Sequence, residues 1–380
     1  MEQSPMTADS YRKHIEAGVF IPIANGGWVF SENAPDTPGT YDHNRQVTLL
    51  AEELGFDIAL SMMQWSGKDS ESRHWSHQLE SLSLMAGLAE ATSRIKLWGT
   101  AQVLAWHPVV AAKVIATIDQ ISHGRAGLNV VTGDLPESLA QLTQWNPDPT
   151  DGKYGLAAEW VEVARKYWSD ETIVHNGKYF TASGAWASPK PYSAPKIACA
   201  GQSSAGFKFT AESCDYAFFV GSDDQKAIER MLLAKQMARE AGNAGLRTMA
   251  LFTLIPESTD ERAQSRVDYY NAGTDMEWLN GLLAPYKDDT NNEARKHFAR
   301  QVDRRESIMD GYLAGSYDTI AQRITTAVQG GDLDGIMVIV PDFINDLRVV
   351  ADEVFPRLAE NGITSNIAVN HDRSTAGSAG

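Results

Sequence analysis

Apolar residues along this chain come in short unbroken runs that stop at turn residues, and between the runs apolar positions return every three to four residues. The runs are GVFIPIANGG (18–27), FDIALSMM (56–63), IKLWGTAQV (95–103), RAGLNVVTG (125–133), APKIACAG (194–201), YAFFVG (216–221), RTMALFTLIP (247–256) and DGIMVIVPD (334–342). Unbroken runs, rather than strict alternation, suit parallel strands buried on both faces. The stretches between them, among them NRQVTLLAEELG, LESLSLMAGLAEATS and PVVAAKVIATIDQIS, carry the spacing of helices with one buried face. Eight such alternations predict a (β/α)8 TIM barrel, with an open doubly wound sheet as the competing arrangement.

Two stretches exceed ordinary connection lengths. One runs from Asp134 to about Tyr154 and leads into a helix and the hairpin-like IVHNGKYFTASG; the other runs from about Ser258 to Gly315. Both are expected as insertions over the C-terminal mouth of the barrel. No composition break marks a second domain. The expected organisation is a flexible N-terminus over 1–17, one barrel over 18–362, and a disordered tail over 363–380 ending in HDRSTAGSAG.

Composition narrows the function. The chain has 380 residues, 43% hydrophobic and 22% charged, enough to bury a sizeable core. Its net charge of -16 disfavours nucleic acid or an anionic membrane as partner, since both require a basic surface. No apolar run approaches the ~18 residues of a membrane span, and the N-terminal residues lack a signal-peptide core. A cytoplasmic enzyme with a small-molecule substrate is expected. Cys199 and Cys214 sit in apolar surroundings and read as reduced core residues, not a disulfide framework.

In a TIM barrel the C-terminal strand ends carry the active site. The polar residues expected there are Asn25, Gln64, Thr100, Asn129, Thr132, Gln202, Ser203 and Ser204, all uncharged. Asn129 stands out because it interrupts an apolar strand, and a buried amide left without partners costs ~1–3 kcal/mol. The loop AGQSSAG (200–206) joins a strand to a helix; its hydroxyls and free N–H groups suit a phosphate, although serine is also a common helix cap. There is no GxGxxG, Walker A or GxSxG motif. No metal is expected: the pair His74 and His77 in HWSH lies beside Trp65 and Trp75 and suits aromatic packing better than zinc. Trp28, Trp65, Trp98, Trp106 and Trp145 fall near strand ends, where some could wall a planar ligand.

TIDQISHGRAGLNVVTG, an acidic insertion and then APKIACAGQSSAG resemble the bacterial-luciferase-like flavin-dependent monooxygenases, and within them the pyrimidine monooxygenases. VFIPIANGGW, FDIALSMM, LESLSLMAGLAEATSRI and GSYDTIAQRI extend the resemblance from about Gly18 to Ala359. It implies FMN as cofactor, supplied reduced by a separate NAD(P)H flavin reductase, dioxygen as co-substrate, and a homo-oligomer, dimer or tetramer. By motif it implies flavin contacts from Met63, Gln64, Asn129, Glu137, Lys153, Tyr154 and Ser203, the last three at the phosphate end. Thr100 and Asn129 match the pair that positions dioxygen and are the implied catalytic residues.

The chain departs from the resemblance in two places. Gly133-Asp134 stands where relatives have Gly-Trp, which makes Asp134, with Trp65, a candidate substrate residue. Lys153 replaces an arginine, keeping the charge and losing bidentate geometry. The implied reaction is oxidation and cleavage of a small planar heterocycle such as a pyrimidine. Conversion of riboflavin to lumichrome, or oxygenation of a sulfone or haloaromatic, remains open on the same machinery. A deazaflavin-dependent dehydrogenase and a non-catalytic flavin binder are disfavoured by the Thr100–Asn129 pair and the set of strand-end polar residues.

Overall fold

The structure, a computed structural model, describes residues 12–65, 67, 70, 72–133, 152–201, 203–284, 293–308 and 311–367. All eight apolar runs form strands: Glu16–Phe20, Ile58–Leu60, Lys96–Gln102, Ala126–Val131, Lys196–Cys199, Tyr216–Val220, Arg247–Glu257 and Gly335–Ile339. Each pairs in parallel with the next in chain order, and the eighth pairs with the first through Met337↔Gly18. The sheet is therefore a closed TIM barrel and not an open doubly wound sheet.

Alternation along the strands divides two cores. Outward residues such as Val19, Leu97, Leu128, Ile197, Phe219 and Val338 pack beneath the surrounding helices. Inward residues Ile58, Leu60, Trp98, Ala198, Tyr216, Phe218, Met249 and Met337 fill the barrel as a separate cluster. Glycines in the wall make room for the largest of these: a Cβ at Gly127 would lie 2.3 Å from Trp98 Nε1, and one at Gly18 would lie 2.5 Å from Met337 Sδ. The N-terminal end is closed by Glu16, which pairs with Lys96 and Arg247 and accepts a hydrogen bond from Tyr216 Oη at 2.8 Å. Burial and the Glu16 charge push the Tyr216 phenol up, so it stays protonated and keeps donating. With the floor closed and the middle packed, the open end is the C-terminal mouth.

The hairpin read from IVHNGKYFTASG is present as Thr172–Asn176 and Thr181–Trp186. Lys13–His14 pairs with Ile363–Thr364, joining the two ends of the described chain on either side of the expected 18–362 boundaries. The second long stretch is not structureless. It holds the helices Asp260–Ala272, Met276–Leu283 and Glu293–Arg304 and the strand Tyr312–Ser316, which extends the far half of the seventh barrel strand. It packs on the loops that leave the first and second strands. Val29 bridges Ile308, Ser31 bridges Thr274, and Phe30 stacks on Trp278 with centroids 3.8 Å apart. This insertion lies on the mouth side, as expected. Of the first long stretch, residues 134–151 lie outside the described residues, and Asp134, Glu137 and Trp145 with them; so does Gln202. Cys199 and Cys214 are buried and free, and no helix among the described residues is long and apolar enough to cross a membrane.

Candidate active site

The strand register puts Thr100 directly beside Asn129. Both sit at inward positions one layer above Trp98, and both are buried, at 2% and 7% exposure. Their hydrogen bonds fix the chemistry. Thr100 Oγ1 donates to the Ser61 carbonyl at 2.5 Å. Its one proton is thereby used, so it can only accept from Asn129. The Asn129 atom facing it at 3.1 Å is accordingly Nδ2. That leaves Asn129 Oδ1 buried with no partner among the described residues. Ser81 supports the pair from below: its hydroxyl accepts from Thr100 N at 2.8 Å and lies 2.6 Å from Ser61 Oγ.

A second amide stands one layer further out on the third strand. Gln102 is fully buried, its Oε1 accepts from Trp65 Nε1 at 3.0 Å, and its Nε2 has no partner among the described residues. Gln64, after the second strand, also has a buried Nε2 without a partner among the described residues, and Met63 beside it is half-buried. Gln102 is absent from the sequence-derived candidates, because a glutamine one residue from the end of an apolar run reads as the start of the loop. The inward phase set by Trp98 and Thr100 was the signal that could have found it.

On the adjoining fifth strand, which pairs Ala198 with Asn129, the loop after the strand end forms a tight cradle. Ser203 caps the helix Ser204–Ser213, accepting from Gly206 N at 3.1 Å. Tyr154 Oη lies 3.5 Å from Ser203 Oγ. Gly201 and Gly206 pass so closely that a Cβ on Gly206 would lie 2.9 Å from the Gly201 backbone and 2.7 Å from Tyr154 Oη. Lys153 opens the helix that carries Tyr154; its Nζ lies 5.5 Å from the Tyr154 ring centroid and 3.5 Å from where a Gly133 Cβ would stand. A cation, two hydroxyls and a helix N-terminus thus converge, the combination that stabilises a phosphate.

Not every candidate belongs to this set. Asn25 is consumed by the second-strand loop, donating to Arg73 O at 2.7 Å and accepting from His77 N at 2.8 Å. His74 packs edge-on against Phe30 and Trp278. Trp98 is barrel core and not mouth, Trp28 stacks on Phe20 at 4.7 Å, and Trp65 and Trp106 lie 6.2 Å apart beside Gln102. His107, which follows Trp106, has its pKa lowered by burial and is neutral near pH 7. Apart from Lys153 the described site therefore works with uncharged groups.

Fold and site define a TIM-barrel enzyme whose mouth places unspent neutral amides on strands next to a serine-capped helix start. The chain belongs to the luciferase-like monooxygenase family, whose family model matches residues 15–334. It is 36% identical over 364 residues to the pyrimidine monooxygenase RutA of Methylorubrum populi, covering 94% of this chain and 96% of that one. It is 35% identical over 347 residues to the protein of the same name from Serratia proteamaculans, covering 90% and 95%. A solved riboflavin lyase, RcaE, superposes with a TM-score of 0.79 over 93% of both chains at 19% identity, a likeness of fold. The protein is thus an enzyme, a flavin-dependent monooxygenase of the two-component type.

Proposed function

We propose that this enzyme binds reduced FMN, delivered by a separate NAD(P)H flavin reductase, and uses dioxygen to oxidise and open a planar cyclic amide of the pyrimidine class. The observation that carries the reading is the stranded Asn129 Oδ1, a buried acceptor beside a threonine whose proton is already committed. Such an acceptor costs ~1–3 kcal/mol unless a ligand N–H or O–H completes it, and a reduced isoalloxazine has ring N–H groups to offer. The cradle fits the other end of the same molecule, since a Cβ at Gly201 or Gly206 would fill the space by Tyr154 and Ser203. Met63, Gln64 and Asn129 would hold the ring, and Lys153, Tyr154 and Ser203 the phosphate. Glu137 and Asp134 keep the flavin and substrate roles that the resemblance implies.

Reduced FMN, when bound, supplies the electrons that let dioxygen be divided between product and water. The protein's part is positional. Thr100 cannot protonate an oxygen species while its proton stays on Ser61 O, and the neutral Asn129 amide orients without donating a charge. The half-buried rings of Trp65 and Trp106, 6.2 Å apart, narrow the access of water above that edge. The pyrimidine class draws support from relatives named for it over nearly the whole chain. We place the enzyme in the cytoplasm as a homo-oligomer.

The test is turnover with FMN, NADH, a flavin reductase and ¹⁸O₂ on uracil, thymine, riboflavin and a dialkyl sulfone, read by mass spectrometry. A ring-opened pyrimidine product carrying one labelled oxygen is expected. Lumichrome from riboflavin, with the pyrimidines untouched, would replace the substrate class while leaving the cofactor assignment standing.

A further inference from the structure

The mouth holds unpartnered donors that the flavin contacts leave unused. Gln102 Nε2 is one and Trp106 Nε1 is another, both buried and without a partner among the described residues. Neither is a loose side chain. An indole N–H can only donate, so the bond from Trp65 Nε1 to Gln102 Oε1 dictates which end of the amide faces Trp65. The NH₂ end must face away, and flipping the amide would set N–H against N–H. Trp106 is held through its backbone. Its N–H donates to Gln102 O at 3.0 Å, as does that of Ala105, and its own carbonyl accepts from Trp160 Nε1 at 2.6 Å. The turn that leaves the third strand therefore ties the two donors to each other and to a fixed wall.

We infer that Gln102 Nε2 and Trp106 Nε1 form a donor pair that reads the carbonyl oxygens of the substrate, and that Trp65 is the positioning residue that points the Gln102 amide. This rests on the proposed function and names the chemical edge which that site selects: a cyclic amide or imide rather than a hydrocarbon or thioether chain. Gln102 lies one inward layer nearer the mouth than Thr100 and Asn129 on the adjoining strand positions. Two donors on the turn toward the entrance complement a planar ring that carries C=O groups, while Asn129 beneath them stays with the flavin. A substrate without carbonyls would leave both donors buried and unpaired, the strongest form of rejection available to a neutral site.

The experiment measures uracil and pyrimidin-2-one binding to FMN-loaded enzyme by anaerobic calorimetry, together with KM, kcat and FMN affinity, for the wild type, Gln102→Met, Trp106→Phe and Trp65→Phe. Gln102→Met keeps the volume and removes the donor; it should weaken uracil about tenfold, raise KM with kcat nearly unchanged, and leave FMN affinity alone. Trp106→Phe should act in the same direction. Trp65→Phe should also raise KM, and adding it to Gln102→Met should cost nothing more, because the two act through one amide. A purely structural role predicts lower melting temperatures with uracil affinity unchanged, and that result overturns the assignment. If the wild type binds uracil and both donor variants bind it equally, this inference alone falls. If the wild type binds no cyclic amide, the substrate class falls and this assignment falls with it.

Discussion

Asn129 concentrates the conflict between stability and function into one atom. Its Nδ2 is satisfied by Thr100 and its Oδ1 by nothing among the described residues. Asn129→Leu removes the stranded acceptor and keeps the shape, so the melting temperature should hold or rise, since replacing an unsatisfied polar group by an apolar one is neutral to stabilising. Turnover should fall at least tenfold, and each decade corresponds to ~1.4 kcal/mol of lost transition-state stabilisation. Oxygen uptake alongside thermal melts checks both halves; unchanged turnover removes Asn129 from the chemistry. This residue was legible in the sequence because an amide inside an apolar strand has no bland explanation. Gln102 was not, although it is the more deeply buried. A glutamine just before the end of a run reads as the start of a loop, and only the inward phase shared by Trp98, Thr100 and Gln102 shows that the barrel wall continues.

The strand–loop–helix from Lys196 to Ser213 shows the same division one level up. AGQSSAG was readable as an anion loop because a helix start with serines offers free donors. What the sequence could not give was the close pass of Gly201 against Gly206, nor Tyr154 arriving from a different helix to roof the cradle. The first is set by the backbone path of the loop, and the second is a distance between segments far apart in the chain. The eight strands were legible for a simple reason: a strand buried on both faces has nowhere to put a charge. The pairing of Lys13–His14 with Ile363–Thr364 was not, because strands of two residues are too short to carry a periodic pattern.

The cradle yields two graded expectations. Ser203→Ala should weaken FMN severalfold and riboflavin little, because Ser203 would touch only the phosphate. Gly206→Ala should be harsher, since its Cβ meets backbone that cannot rotate away. FMN affinity should drop at least as far as in Ser203→Ala, with part of the loss shared by riboflavin. Fluorescence titration with both flavins separates the cases; equal loss for FMN and riboflavin in Ser203→Ala would remove the phosphate from this loop.

At the scale of the molecule, the mouth is assembled from pieces that must stay docked, and His74 is where they meet. The ring lies against Phe30 from the first-strand loop and Trp278 from the long insertion, and its Nε2 is 3.0 Å from Gly27 O. It also presses on Gly26, where a Cβ would come within 2.2 Å of Nδ1. Burial lowers its pKa from 6.5 to about 4, against the smaller pulls of the Gly27 carbonyl and Asp275. A histidine that is neutral when folded but free to protonate when unfolded contributes fully above pH ~6.5. That contribution is lost as pH falls from about 6.5 towards about 4, after which it no longer changes. The full swing is on the order of 3 kcal/mol. Asp275, on the insertion, is also held below its ordinary value: burial pushes it up, but hydrogen bonds from Ser72 and Trp278 N outweigh that. Its loss of support begins only at lower pH and is common to variants that leave it in place. His74→Gln keeps a neutral donor for Gly27 O and cannot charge. The wild type should therefore lose more melting temperature than His74→Gln between pH 7 and pH 4.5, while the two run parallel above pH 7. Because the ring joins the insertion to both loops, the acid-induced loss should show first as faster hydrogen exchange in Asp260–Leu283 and around Phe30, with the barrel strands still protected. Parallel pH profiles for the two proteins across the whole acid range would mean that His74 is solvated when the mouth is open, and that the insertion is held to the barrel by its aromatic contacts alone.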